Sequence, residues 1–169
     1  GHGWVGISYQ IEPDEDYNEI ILHIRFKETD VRLQQETLGI LGVNLIYGAF
    51  YKYNDPKRLL RYLYDHLDKD QLEIDTINFS GPRFADVDNR LMSLQLVKNG
   101  MTDAVMFNPD GKNILPAAIL YKKNILAFRG SFRPVTKVNM DMYEKSLKMF
   151  LKENKVEKEN TLVIFEITL

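Results

Sequence analysis

The chain has 169 residues, a formal net charge of −2 at pH 7 and no cysteine. Apolar residues make up 44% of it and charged residues 27%, which are ordinary values for a globular protein and exclude a disordered tail, a collagen-like fibre or a coiled-coil rod. Without cysteine the chain has no disulfide framework, thiolate catalyst or cysteine-based metal site.

The chain begins with two predicted strands and a long helix. Apolar and polar residues alternate over residues 4–11 and 20–27, and an acidic loop joins the two runs, so we predict a β-hairpin. A cap at Thr29 or Asp30 begins a helix that runs to about Tyr51. The second half of this helix is apolar nearly all round, so it is expected to be buried on most faces, with its glycines where another backbone crosses closely.

Turn and capping signals predict the remaining elements. They are a helix from Pro56, a strand over 72–79, a helix from Asp86 or Asp88 to Asn99, strands over 102–107, 117–121 and 125–128, a helix from Asn139 or Asp141, and a strand over 161–169. Gly100 ends the third helix, and turns at 108–111 and 122–124 make residues 102–128 an antiparallel meander. The order ββααβαβββαβ predicts an α/β or α+β fold with a mixed sheet of about seven strands and four helices.

Domain organisation and location follow from what the sequence lacks. Nothing resembles a flexible linker, so we predict a single domain over residues 1–169. The last strand stays apolar to Leu169, and we expect the chain to be a piece of a longer protein. No spanning segment, signal peptide or basic helix is present, so we predict a cytoplasmic protein without a membrane or nucleic-acid partner.

Two loops that contain glycine and arginine are candidate anion-binding sites. One covers residues 80–83 after a strand, and the other covers 129–134 between a strand and a helix. Ligands in open α/β sheets bind beyond the carboxyl ends of strands, where glycine allows close approach and arginine clamps phosphate. The predicted ligand-binding residues are Ser80, Gly81, Arg83, Arg129, Gly130, Ser131 and Arg133. The alternative is that arginine–carboxylate pairs simply hold these loops in place.

The sequence motifs assign neither a catalytic residue nor a metal site. Asp86 and Asp88 are interpreted as helix caps, with a Mg²⁺ site as the alternative. The three histidines lack motif spacing: His2 is terminal, His23 faces outward on its strand, and His66 is expected in the core or at its boundary.

One segment resembles a nucleotide-transfer signature. Residues 130–139, Gly-Ser-Phe-Arg-Pro-Val-Thr-Lys-Val-Asn, are similar to the Gly-Ser-Phe-Asn-Pro-(Ile/Val)-Thr-x-x-His signature of nicotinamide and nicotinate mononucleotide adenylyltransferases. The resemblance implies a Rossmann-like fold, ATP, Mg²⁺ and AMP transfer, with residues 130–132 in the phosphate turn and Thr136 at the first phosphate-binding position. Asn139 replaces the second histidine, which removes a cationic donor to the transferred phosphate.

A longer resemblance covers nearly the whole chain. It is carried by residues 2–6, 41–49, 79–84, 90–93, 121–123 and 129–134. These segments look like the middle region of a family of longer, uncharacterised bacterial proteins that are labelled inconsistently as nicotinate-nucleotide adenylyltransferases or TonB-dependent receptors.

Three functional hypotheses result. The first is a binding or scaffold domain that works with the remaining domains of its own longer chain and recognises an anionic, phosphate or nucleotide-like ligand. The alternative is a mononucleotide adenylyltransferase-like enzyme with a degenerate motif, which would use ATP and Mg²⁺. The third is a homo-oligomer with Trp4, Tyr47, Phe50 and Tyr51 at the subunit interface.

Overall fold

The computed structural model describes residues 1–168. The chain divides into two compact units, Gly1–Leu115 and Pro116–Leu169. The described residues form five α-helices and seven strands in three small sheets. This confirms the predicted α/β class. The seven strands were predicted in one mixed sheet, and the structure distributes them over three. The single domain stays a prediction, and each unit is described by itself.

The first unit is built on a three-stranded antiparallel sheet in the order β1-β2-β3. The strands are β1 (His2–Tyr9), β2 (Asn18–Phe26) and β3 (Leu72–Ser80). The predicted hairpin of the first two strands is confirmed, with Val5 paired to Leu22. Because side chains alternate along a strand, one face of this sheet is apolar and the other is polar.

Three helices cover the apolar face of this sheet. They are α1 (Val31–Tyr51), α2 (Pro56–Tyr62) and α3 (Asn89–Lys98). Ile20, Leu22 and Ile77 are fully buried in the resulting core, and the helices contribute Leu41 and Leu60, which are also fully buried. We call the opposite side of the sheet, on which none of these three helices packs, the open face.

The predicted helix ends are confirmed in this unit because their signals are local. Asp30 accepts hydrogen bonds from the backbone N–H groups of Arg32 and Leu33 at 2.8 and 3.1 Å. Asp88 caps α3 in the same way, with 2.9 Å to the N–H of Arg90. Gly100 has φ 66° and donates its N–H to the carbonyl of Val97, which ends α3 in the left-handed conformation.

The expected burial of α1 on most faces is wrong. One side packs on the core through residues such as Leu41, whereas Val43 and Tyr51 are 67% and 73% exposed. Gly48 does meet a crossing helix, because a Cβ there would lie 3.1 Å from Cγ of Leu59. Gly39 and Gly42 face open space, with nothing within 4 Å of an added Cβ. Apolar composition therefore overstated how much of this helix the unit can cover.

The predicted meander over residues 102–128 is wrong beyond its first turn. A short hairpin, β4 (Met106–Phe107) and β5 (Asn113–Ile114), is closed by the predicted turn, in which Gly111 donates to the carbonyl of Asn108. The next segment is the helix α4 (Pro116–Leu120) instead of a strand. Proline in a first helical turn and the following Ala-Ala pair favour helix, and a short apolar run does not distinguish the two structures.

The second unit contains a parallel strand pair connected by a helix. Strands β6 (Asn124–Arg129) and β7 (Thr161–Glu166) pair in parallel, and α5 (Lys137–Phe150) lies between them in the chain. Helix α5 begins earlier than predicted because Thr136 and Asn139 form a capping box. The end of the predicted last strand, Leu169, lies outside the described residues.

The predicted buried stripe of α5 is only half-buried. Tyr143, Leu147, Phe150 and Leu151 are partly covered, and Met140 is 49% exposed. Two short 3-10 helices, Pro82–Phe84 and Lys158–Asn160, complete the described elements. Over residues 1–168, every helix is too short or too polar to cross a membrane.

Candidate functional site

The first predicted anion loop is held by carboxylates of its own unit. Arg83 donates from Nε to Oε1 of Glu15 at 2.7 Å, and its second contact to that carboxylate is 3.4 Å. The guanidinium also lies over the ring of Tyr53, and the hydroxyl of Ser80 donates to Glu19 at 3.3 Å. Hydrogen bonds from Arg83 lower the pKa of the Glu15 carboxyl. The charge of Arg83 is therefore already balanced.

Glycine in this loop has a steric role. Gly81 has φ 103°, and a Cβ there would lie 2.5 Å from the carbonyl oxygen of Tyr17. No side chain fits at that distance, so the glycine allows the loop to pass against the hairpin. Its presence is explained without a ligand.

The second predicted loop belongs to the second unit. Arg129 donates to Oε1 of Glu166 at 2.8 Å, and the N–H of Gly130 donates to the backbone carbonyl of the same residue at 3.1 Å. The hydroxyl of Thr136 is engaged in the capping box of α5. Ser131 and Arg133 are exposed. The predicted set is thus divided into Ser80, Gly81 and Arg83 in the first unit and Arg129, Gly130, Ser131, Arg133 and Thr136 in the second.

A buried histidine on the open face was missed from the sequence. His23 is 4% exposed, and its Nδ1 lies 2.8 Å from Oδ1 of Asp75, which is 6% exposed. Its Nε2 lies 3.3 Å from Nδ1 of His2. Thr76 donates to the same Asp75 oxygen at 3.1 Å. We call His2, His23, Asp75 and Thr76 the histidine cluster.

A β-bulge places the acid beside this histidine. His23 pairs with Thr76 but Ile24 pairs with Ile74, so Asp75 is an extra residue in β3. A bulge re-aims a side chain by bending the strand locally, and here pairing with β2 continues on both sides of it. The sequence carries a sign of it, since two successive polar residues at 75 and 76 interrupt an otherwise regular alternation of apolar positions.

Further charges surround the histidine cluster. Arg25 lies 3.7 Å from Asp75 and 3.7 Å from Glu73, and Glu73 accepts a hydrogen bond from Thr102 at 2.7 Å. Trp4 meets the ring of His23 edge-on, with 5.0 Å between centroids. Two carboxylates thus face one guanidinium on this part of the open face. His66, in contrast, is exposed and lies beyond the end of α2, so its expected burial is wrong.

A groove of about 590 Å³, bordered mostly by residues with polar side chains, lies next to the cluster. Trp4 and Thr76 line it together with Asn89, which clamps β3 by bonding both backbone groups of Phe79 at 2.8 and 2.9 Å. Asp88 pairs with Arg90 at 2.7 Å, and this pair lowers the pKa of Asp88 to about 2. The groove's polar side chains therefore largely hold the fold together.

The exposed side of α1 presents several large apolar side chains to solvent. Its centre line runs through Gly39, Val43, Ile46 and Phe50, since residues three and four apart share one side of a helix. With the flanking Gly42 and Tyr47, these residues form what we call the α1 face. No charged residue lies between Glu36 and Lys52. Aromatic contacts fix one end, with 4.9 Å between the ring centroids of Tyr47 and Tyr62.

The histidine cluster differs from a Ser–His–Asp arrangement, because Nε2 of His23 faces Nδ1 of His2 where such an arrangement would place a hydroxyl. Over residues 1–168, no group of three or more histidine or acidic side chains is arranged around a common metal position. No family model matches the chain, and neither a curated protein nor a solved structure is similar to it.

Proposed function

We propose that the chain is a non-catalytic scaffold domain that pairs with a second copy of itself through the α1 face. The observation that carries the proposal is the distribution of side-chain size along this face, which has glycines at one end and aromatic side chains at the other. Trp4, which the sequence placed in the same interface, lies on the open face against His23 and is not part of the proposed contact.

Exposure of the α1 face supports a docking role. Val43 and Ile46 are 67% and 54% exposed, and Phe50 and Tyr47 remain more than two-fifths exposed. Contiguous apolar surface of this kind mostly marks a site of interaction, because exposure to water costs free energy that a partner removes. The side chains border a groove of about 640 Å³ that a ridge of similar shape can fill.

The two ends of the α1 face complement each other. In an antiparallel two-fold arrangement centred between Val43 and Ile46, these two residues face each other across the contact. Gly39 then faces Phe50 of the second copy, and Gly42 faces Tyr47. Both glycines have open space where a Cβ would lie, which leaves room for an aromatic ring. Two-fold interfaces are self-complementary in this sense.

Charge at the ends of α1 favours the antiparallel arrangement. Glu36, which pairs with Arg32 at 3.2 Å, precedes the α1 face, and Lys52, whose ammonium lies over the ring of Tyr62, follows it. Antiparallel helices bring the Glu36 carboxylate of one copy toward the Lys52 ammonium of the other. Parallel helices would instead place like charges together, which is destabilising.

Sedimentation equilibrium and light scattering test the proposal. We expect the chain to dimerise and Ile46→Glu to weaken the dimer by at least about 100-fold, because a carboxylate would be buried against Val43 without a partner. Leu91→Glu, at a 55% exposed apolar position on α3, is the matched control and should leave the dimer intact. A wild-type chain that stays monomeric at all concentrations refutes the proposal.

A charge-pair experiment tests the arrangement itself. Val43→Lys and Ile46→Glu should each be monomeric alone, and an equimolar mixture should form a heterodimer, because the new lysine faces the new glutamate across the two-fold axis. A parallel arrangement predicts a weaker recovery, since position 43 would then face position 43 of the other copy and the lysine and glutamate would be offset by one helical turn. The result distinguishes the proposed register from other ways of covering the α1 face.

Anion recognition is a second candidate function, favoured by one observation. Among residues 1–168, Arg133 forms no ion pair, in contrast to Arg83 and Arg129. Titration calorimetry with phosphate and with ATP, with and without Mg²⁺, is the direct test, and Arg133→Ala should abolish any binding. The adenylyltransferase alternative has less support because the Thr136 hydroxyl is occupied and Asn139 replaces a histidine.

A further inference from the structure

We propose that His2 and His23 form a binding site for a divalent transition-metal cation such as Zn²⁺, with Asp75 as the residue that positions His23. The site lies on the open face, on the other side of the sheet from α1, and is independent of the proposed dimer. It holds two protein ligands and leaves the other coordination positions to water.

The distance between the two histidine nitrogens matches shared metal coordination. Nδ1 of His2 and Nε2 of His23 are 3.3 Å apart. Zinc–nitrogen bonds of about 2.0–2.1 Å at a tetrahedral angle place two ligand nitrogens about 3.3–3.4 Å apart. The same distance is at the long end for a direct N–H···N hydrogen bond. The two rings therefore already have the spacing that a tetrahedral cation requires.

Asp75 fixes which nitrogen of His23 is available. Because Nδ1 faces the Asp75 carboxylate at 2.8 Å, it carries the hydrogen, and the lone pair of Nε2 points toward His2. Histidine ligands in metal sites commonly donate their second N–H to a carboxylate, which fixes the tautomer and raises ligand basicity. The hydroxyl of Thr76 holds the carboxylate in turn.

The surroundings also favour a cation. Among the side chains around the cluster, the two carboxylates of Asp75 and Glu73 outnumber the one guanidinium of Arg25. Burial of His23 restricts its ring to one orientation, and Trp4 covers part of it, whereas exposed His2 leaves access from solvent. Imidazole nitrogen suits Zn²⁺, Ni²⁺ and Cu²⁺ and disfavours Mg²⁺ and Ca²⁺, which take oxygen ligands.

Titration calorimetry of the full chain with Zn²⁺, after removal of any purification tag, tests the proposal. We expect one Zn²⁺ per chain, a loss of at least 100-fold in affinity for His2→Ala, and a loss of about 10–100-fold for Asp75→Asn. His66→Ala removes an exposed histidine elsewhere and is the matched control, which should bind as the wild type does. Mg²⁺ should give no heat of binding.

Three outcomes would overturn the proposal: no Zn²⁺ binding by the wild type, unchanged binding by His2→Ala, or an equal loss in His66→Ala. His2→Ala is the informative variant because its side chain is exposed and its removal leaves the core intact. Heteronuclear NMR of the imidazole rings gives a second measurement. Zn²⁺ should shift the His2 and His23 ring signals and leave those of His66 unchanged.

Discussion

The glycines of α1 allow a prediction that separates helix propensity from packing. Replacing glycine by alanine inside a helix gains about 1 kcal/mol wherever the methyl group has room. At Gly42 nothing lies within 4 Å of the added Cβ, so Gly42→Ala should stabilise the unit by this amount. At Gly48 the added Cβ meets Cγ of Leu59 at 3.1 Å, and Leu59 is fully buried.

The expected effect of Gly48→Ala on the free energy of unfolding follows from the close contact of the added methyl group with Leu59. Overpacking a filled core costs about 1–3 kcal/mol, so Gly48→Ala should range from neutral to destabilising by about 2 kcal/mol after the propensity gain. The difference between the two variants, about 1–3 kcal/mol, isolates the packing contribution because both carry the same gain in propensity.

Urea unfolding followed by far-ultraviolet circular dichroism measures this difference. Both substitutions should be made in the Ile46→Glu background, so that any change in self-association does not enter the free energy of unfolding. Equal stabilisation by the two variants would refute the close crossing of α1 and α2 at Gly48. A destabilised Gly42→Ala would contradict the open space around that glycine.

Three further predictions concern single groups. Burial raises the pKa of Tyr9 to about 12, so the folded state favours the neutral phenol. The folded state keeps its full stability below the ordinary phenol pKa of about 10 and loses stability as pH rises toward 12. Tyr9→Phe should therefore unfold at a higher pH than the wild type in an alkaline titration followed by tyrosinate absorbance. Thr136→Ala removes the cap of α5 and should lower the unfolding free energy of the second unit by about 1 kcal/mol in thermal denaturation, whereas Thr136→Ser should retain it. The Arg90 side chain and the backbone N–H groups at the start of α3 together hold the pKa of Asp88 at about 2, so the stabilisation they provide is complete above the ordinary Asp pKa and is lost as pH falls toward 2. Arg90→Met should weaken this acid dependence and leave the part due to the backbone cap, as measured by urea midpoints against pH.

Local signals in the sequence predicted the helix ends and turns of the first unit. The Asp30 and Asp88 caps and the left-handed Gly100 each depend on groups within a few residues, so a short segment contains the needed information. The sequence carries no comparable local signal for the pairing of distant segments. The parallel pairing of β6 and β7 and the helical state of residues 116–120 depend on long-range packing that periodicity does not encode.

The candidate sites show the same limit. The arginine loops were recognised from composition, yet only the fold shows that Glu15 and Glu166 neutralise Arg83 and Arg129. The histidine cluster joins residues 21 and 52 positions apart, so no local spacing could identify it. For α1, composition indicated burial, and only the arrangement of the other elements shows which side stays uncovered.

The bulge in β3 has a consequence for insertions and deletions. Apolar residues at 72, 74, 77 and 79 point to the core, with one residue too many between the second and the third. Deleting Asp75 would turn β3 into a regular strand and leave every core position in phase. The hydrophobic interior therefore has no need of this residue. Its insertion serves only the open face, where it supplies His23 with an acid, and a chain without it would keep its fold while losing that partner.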